Sequence, residues 1–264
     1  MALLEQATCT IEKINNKGLG VGKTEQGSVE LPYVLPSDVV EFERHGYRGK
    51  TNTILKNIIE KNATRREAVC KYFGACGGCL LQHFKEDDYD NFKLNLINSA
   101  LSNYEIKTDI KPMISVPFGQ RRRANLEAIK KNGQVFLGFH RLFSHQIINL
   151  DSCPALMSDI SKLIAPLKAL LENVMEDKQK LGMFVTKSVS GIDISLEIQN
   201  LKSLNETQRK LLKDFANEYN LARLLFRYRK TLDIIHEKAK PYIQFDGVNV
   251  EIDSYCFLQS SDIS

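Results

Sequence analysis

The run Cys70-Lys-Tyr-Phe-Gly-Ala-Cys76-Gly-Gly-Cys79 places three cysteines close together, and a fourth follows far downstream in Asp151-Ser-Cys153-Pro154. Thiolates separated by five and by two residues can converge on one inorganic centre, because the glycine pair lets the backbone turn tightly. With the distant cysteine, the set is typical of an iron–sulfur cluster or a structural zinc site. Unligated core thiols are the alternative, since free cysteine is often buried. The paired glycines favour the metal centre.

The composition sets the class of protein. At 264 residues and 43% hydrophobic, the chain can bury a core and is expected to hold more than one domain. Its N-terminus lacks the charged and apolar regions of a secretory leader, and no run approaches a membrane span. We therefore expect a cytoplasmic protein without a membrane partner, where clustered cysteines usually indicate metal. The net charge of +4 is too small to show a polyanionic partner by itself.

The order of local patterns predicts two successive domains. Residues 1–62 contain short alternating runs separated by turn residues, which predicts an OB-like β-barrel. Residues 63–245 mix helical and alternating patterns without a βαβ rhythm, which predicts an α+β domain around the cysteines. Within it, Asn132-Gly133 lies between two alternating runs and predicts a hairpin. A helix is expected to start at Pro154.

Four motifs occur in one order: Cys70…Cys76-Gly-Gly-Cys79-Leu-Leu-Gln82-His83, Arg121-Arg-Arg123, Gly138-Phe-His-Arg141 and Ser144-His145…Cys153-Pro154. Together they resemble the RNA uracil-C5 methyltransferase family, which makes 5-methyluridine in ribosomal or transfer RNA. The resemblance implies a TRAM domain, which is an OB-like barrel, and then a central domain with a [4Fe-4S] cluster. It also implies the cluster ligands, with Cys153 chosen over Cys256 partly on the family pattern: Cys70, Cys76, Cys79 and Cys153.

The end of the chain resembles the place where family members enter a Rossmann-like domain that binds S-adenosylmethionine. In Phe257-Leu258-Gln259 the glutamine matches a residue of the cofactor pocket, although Leu258 departs from the family pattern. The resemblance therefore implies Gln259 as a cofactor contact and residues 246–264 as the start of a truncated methyltransferase domain. The expected fold class is β then α+β, with the Rossmann-like domain essentially missing. No catalytic residue is predicted, so we expect the chain to be inactive alone, with a separate chain as a candidate carrier of that domain.

Basic side chains suggest RNA as the partner. Arg121, Arg122 and Arg123 at a strand entry can pair with phosphate or stack on an unpaired base. A second set, Arg223, Arg227, Arg229 and Lys230, can do the same or simply solvate one sheet face. The predicted barrel carries further candidates, each of which can instead be a solvated lysine or a core aromatic: Lys13, Lys17, Lys23, Arg44, Arg48, Lys50, Tyr33, Phe42 and Tyr47.

Two other functions stay open on the sequence. One is a stand-alone iron–sulfur module that binds RNA without catalysis. The other is a zinc-binding structural protein that uses the same cysteines. Iron and sulfide analysis distinguishes the zinc protein from both iron–sulfur alternatives.

Overall fold

The structure is a computed structural model that describes residues 2–47 and 50–261. The described chain divides into two compact units. The first contains the residues up to Gly74 together with Cys79–Ile114, and the second contains Ala75–Gly78 together with the residues from Ser115 onward. The chain therefore passes from one unit to the other within the cysteine run.

The first unit is built on a five-stranded antiparallel sheet with the order β3-β2-β1-β4-β5. Its edge strands β3 and β5 also approach each other, so the sheet curls on itself. The strands are β1 (Ala2–Ile14), β2 (Gly20–Thr24), β3 (Gly27–Leu31), β4 (Val39–Tyr47) and β5 (Lys50–Glu60).

Alternating apolar residues make the core of this sheet. In β1, Cys9 and Ile11 are buried while Thr10 and Glu12 between and beside them are exposed, as a two-residue period requires. The core cluster comprises Cys9, Ile11, Val29, Leu31, Val34, Val40 and Phe42.

The same unit carries α1 (Glu86–Ser102), and no residue described in this helix is buried. Its first turn holds Glu86, Asp87 and Asp88, which interact favourably with the helix dipole.

The second unit is built on a six-stranded sheet with the order β11-β10-β9-β8-β6-β7. All neighbours are antiparallel except β9 and β10, which are joined through a helix. The strands are β6 (Arg123–Lys131), β7 (Gln134–Gly138), β8 (Lys180–Ser188), β9 (Gly191–Ile198), β10 (Arg223–Tyr228) and β11 (Thr231–Glu237). A separate hairpin is formed by β12 (Tyr242–Phe245) and β13 (Val248–Glu251).

The Asn132-Gly133 hairpin is confirmed, because Lys131 pairs with Gln134 and both turn residues have positive φ, 51° and 79°.

Two helices pack on the six-stranded sheet: α2 (Ser158–Val174), which lies against β7 and β8, and α3 (Glu206–Glu218), which lies against β10 and β11. The helix expected from Pro154 thus begins at Ser158. Asn205 and Gln208 close a capping box at the start of α3.

The other side of this sheet, named the open face here, is defined by one row of paired residues. Across β6, β8, β9, β10 and β11 the row runs Asn125, Phe184, Ser195, Leu225 and Ile234. Because directly paired residues point to the same side of a sheet, these side chains share one face. The intervening residues of β9, such as Ile194 and Leu196, are buried on the opposite side.

The predicted fold class was wrong. The described residues form a sheet-rich fold, with thirteen strands in three sheets and only three helices. In the second unit most of the chain contributes to hairpins of one broad sheet, because its alternating runs pair with their sequence neighbours. The predicted domain boundaries after residues 62 and 245 stay a prediction.

Candidate functional site

The segment 252–261, named the C-terminal segment here, is anchored by a buried ion pair on the open face. Arg223 of β10 lies beside Asp193 of β9, with its Nε 2.9 Å and an Nη 3.1 Å from the two carboxylate oxygens. The same guanidinium donates to the Ser254 hydroxyl at 2.9 Å and to the Ile252 carbonyl at 3.5 Å. One arginine therefore joins the sheet to the segment.

Burial and the charge of Asp193 act in opposite directions on the pKa of Arg223. Only 2% of Asp193 is exposed, so both charges are largely withdrawn from water. Burial alone would lower the pKa of Arg223, but the hydrogen bond and the charge of Asp193 outweigh it and raise the pKa. The bidentate contact keeps the guanidinium charged and fixes its plane.

Tyr255 forms the second anchor. Its hydroxyl lies 2.6 Å from the Ser195 hydroxyl, and its ring meets Phe184 edge-on with centroids 4.9 Å apart. The guanidinium of Arg227 lies 4.4 Å from the centre of the same ring. Aromatic and cation–π contacts of this kind hold a ring in one orientation. Tyr255 is thus packed over the middle of the open face.

The predicted RNA-binding arginines form the third anchor. Arg122 donates from Nε to the Gln259 carbonyl at 3.0 Å, and Arg123 donates from an Nη to the Leu258 carbonyl at 2.7 Å. The Arg123 guanidinium also lies 5.7 Å from the ring centre of Phe257, which is 81% exposed. Arg121 is exposed, and its Nε donates to the Arg123 carbonyl at 3.1 Å.

The structure therefore brings together two sets that the sequence nominated separately. The Arg121–Arg123 run and Gln259 lie side by side, joined through the backbone of the C-terminal segment. Their predicted roles in binding RNA and S-adenosylmethionine stay predictions. Sequence reasoning missed the residues that build the anchors, namely Asp193, Ser195 and Tyr255. A signal for two of them was present, because polar residues alternate with isoleucine and leucine along β9.

The cysteines are distributed over both units. Cys70 and Cys79 belong to the first unit, and Cys76 and Cys153 belong to the second. The backbone N–H of Cys70 donates to Gln82 Oε1 at 3.1 Å, and that of Cys153 donates to the Ser161 hydroxyl at 2.9 Å. Cys76 pairs with Arg141 in an isolated bridge.

Across residues 2–47 and 50–261, no group of three or more His, Cys, Asp and Glu side chains is positioned to hold a metal ion. The four-cysteine set accordingly stays a prediction from the sequence. Cys256, which lies within the C-terminal segment, packs against Ile243, Ile252 and Leu258.

His83 follows the cysteine run and is buried in the first unit. Its Nε2 lies 3.1 Å from the Val34 carbonyl, and its ring contacts the rings of Phe73 and Phe84. Burial lowers the pKa of His83 to about 4, with a further lowering by Arg65. The imidazole is therefore neutral near pH 7, and Nε2 carries the proton that Val34 accepts. This histidine connects the chain after the cysteines to the core of the five-stranded sheet.

Two of the candidates for RNA contact on the predicted barrel have other roles in the structure. Phe42 is fully buried in the core and cannot stack on a base. Arg44 forms an ion pair with Glu5 at 3.1 Å, in which both side chains are largely buried. Arg48 lies outside the described residues.

In the described part of the chain, no helix has both the length and the apolar character that a membrane crossing needs.

No family model matches the chain. Curated relatives do match it. The chain is 31% identical over 260 residues to an uncharacterised RNA methyltransferase of Agrobacterium fabrum, a match that covers 96% of the chain and 60% of that relative. It is 28% identical to the 23S rRNA (uracil(1939)-C(5))-methyltransferase of Shewanella amazonensis and 29% identical to that of Shewanella sediminis, with 97% of the chain and 59% of each relative covered.

The chain thus spans about 60% of the length of the curated relatives that it matches. The matches extend along nearly all of this chain, and they support neither the predicted truncation nor a separate partner chain. The extent of the matches and the names of the relatives agree on one family. The chain belongs to the RNA methyltransferase family that includes these 23S rRNA uracil-C5 methyltransferases.

Proposed function

We propose that this chain serves in the methylation of uracil C5 in ribosomal RNA and that its open face takes part in binding the RNA. The observation that carries the proposal is the similarity to two 23S rRNA uracil-C5 methyltransferases along 97% of the chain.

The geometry of the third anchor suits RNA. Arg121, Arg122 and Arg123 place three cations at the entry of β6, and only some of their donors are used by backbone carbonyls. Beside them, Phe257 exposes an aromatic ring that is large enough to stack on a base. Cations for phosphate next to an exposed ring for a base are the two elements of single-stranded nucleic-acid binding.

The methyl donor proposed for this reaction is S-adenosylmethionine, as the family resemblance implies. Gln259 is the proposed contact within this chain. Its side chain is exposed, and Arg122 fixes its carbonyl oxygen, so the residue is held at one position on the open face. Arg122 and Arg123 would then position this residue while their remaining donors meet the RNA.

The [4Fe-4S] cluster on Cys70, Cys76, Cys79 and Cys153 is proposed on the cysteine pattern and the resemblance alone. Protein purified without oxygen should contain iron and acid-labile sulfide. Cys153→Ser should lose both, whereas Cys9→Ser, which changes a core thiol of β1, should keep them. Stoichiometric zinc without sulfide would instead establish the zinc protein.

Function in the cell can be tested by deletion of the gene in its own host. Mass spectrometry of nuclease digests of 23S rRNA should show less 5-methyluridine after deletion, and re-expression of the gene should restore it. An unchanged 5-methyluridine content after deletion would contradict the proposal, provided that no second gene supplies the same modification in that strain. In a strain with such a second gene, both genes are deleted, and re-expression of this gene alone should restore 5-methyluridine.

Binding can be tested on the purified chain with a stem–loop RNA. Replacing Arg121, Arg122 and Arg123 together with alanine should weaken binding and reduce its dependence on salt, because phosphate contacts release counterions. A matched control removes three exposed lysines of the helix side, Lys202, Lys210 and Lys213, and should leave affinity within about twofold. Circular dichroism must show that both variants stay folded. Equal losses in the two variants would show a non-specific charge effect.

A further inference from the structure

We propose that Arg227, Tyr255, Leu232 and Ile234 form a subsite for one unpaired RNA nucleotide on the open face, at the β10–β11 edge of the sheet. The inference rests on the proposed function and deepens it, since it adds a second RNA contact remote in sequence from the Arg121–Arg123 run. Its elements are a fixed guanidinium plane, an exposed apolar floor and a cationic turn.

Arg227 supplies the plane. Its guanidinium lies 4.4 Å from the Tyr255 ring centre, and its Nε donates to the Arg229 carbonyl at 2.8 Å. Glu197 lies 3.9 Å from the same Nε. Tyr255 beneath it is itself fixed by Ser195 and Phe184. The guanidinium is therefore held in place before any ligand arrives, and a planar cation in that state can stack on a nucleobase.

The neighbouring strand supplies the apolar floor. Leu232 pairs directly with Arg227, so the two side chains lie on the same face, and Leu232 is 51% exposed. Ile234 pairs with Leu225 on that face and is 57% exposed. Two exposed branched side chains next to a stacked arginine leave an apolar surface that a flat base can cover.

The turn between β10 and β11 supplies the charge. Arg229 and Lys230 connect the two strands and are both exposed. The Arg229 guanidinium lies 5.3 Å from the ring centre of Tyr228, whose side chain is on the opposite side of β10 from Arg227. The cations at this end of the apolar floor are therefore Arg227 and the exposed Lys230. This combination selects a nucleotide over an apolar peptide, because a phosphate complements the cations while the base covers the floor. The base has to be unpaired, since a base inside a duplex offers no free face for stacking.

The test uses fluorescence anisotropy with two RNA probes, a single-stranded dodecamer and the same sequence in a duplex. Arg227→Lys keeps the charge and removes the plane, and it should weaken binding of the single strand at least about fivefold, as expected for the loss of one stacked base. Duplex binding should change less than twofold. Leu232→Ser, an exposed position whose substitution leaves the core intact, should weaken single-strand binding in the same direction.

Lys210→Ala is the control, because it removes one exposed cation, 80% accessible, from α3. It should leave both affinities unchanged. If Arg227→Lys and Leu232→Ser both bind the single strand normally while the Arg121–Arg123 triple variant binds weakly, the subsite is wrong and the proposed function stands. If the unmodified chain binds neither probe, the proposed function and the subsite fail together.

Discussion

Asp193→Ala tests the anchor of the C-terminal segment most directly. Among the described residues, the substitution removes the only carboxylate in bidentate contact with Arg223. It leaves a guanidinium whose side chain is 12% exposed without its hydrogen-bonded partner, although the charges of Glu237 and Asp253 still act on it. Removing one partner of a buried ion pair costs about 3–5 kcal/mol, because the remaining charge stays desolvated. Arg223 would keep its bonds to Ser254 and Ile252, so we expect the lower part of that range, about 3 kcal/mol.

Asp159→Ala provides the comparison. It breaks the ion pair of Asp159 with Lys187 at 2.6 Å, in which the side chains are 56% and 33% exposed, and exposed pairs contribute only about 0–1 kcal/mol. Urea unfolding followed by circular dichroism gives the free energy of unfolding of each variant. Hydrogen exchange of the β9 and β10 amides locates the loss in the second unit. An Asp193→Ala loss below about 1 kcal/mol, equal to that of Asp159→Ala, would refute the anchor.

Two further predictions concern single residues. The pKa of His83 is about 4 in the folded chain, against an ordinary value of 6.5. On acidification from pH 6.5 to 4, the unfolded chain therefore takes up a proton that the folded chain excludes. The free energy of unfolding should fall by up to roughly 3 kcal/mol across this window. His83→Gln should flatten this pH dependence, measured by urea unfolding from pH 4 to 7.5, while His140→Gln, on the second unit, should keep it. Gly138→Ala should lower the free energy of unfolding by at least about 1–3 kcal/mol, because the new Cβ would lie 2.0 Å from the Ile148 carbonyl oxygen. Gly182→Ala, whose Cβ meets nothing within 4 Å, should unfold like the unmodified chain.

The sequence determined the parts of the fold that depend on nearby residues. The Asn132-Gly133 hairpin formed as predicted, since its turn residues carry their conformational preference with them. The strand β9 was indicated by its two-residue alternation. The motifs also indicated the family, which relatives along 96% of the chain confirm.

Only the tertiary structure decided which of these elements meet. Arg122 and Gln259 are 137 positions apart and become neighbours because the C-terminal segment lies on the open face beside β6. The stack of Arg227 on Tyr255, two residues that lie far apart in the sequence, likewise depends on that segment. The predicted fold class failed for the same reason: periodicity identifies strands one at a time, whereas their assembly into one broad sheet depends on pairing and packing over long separations.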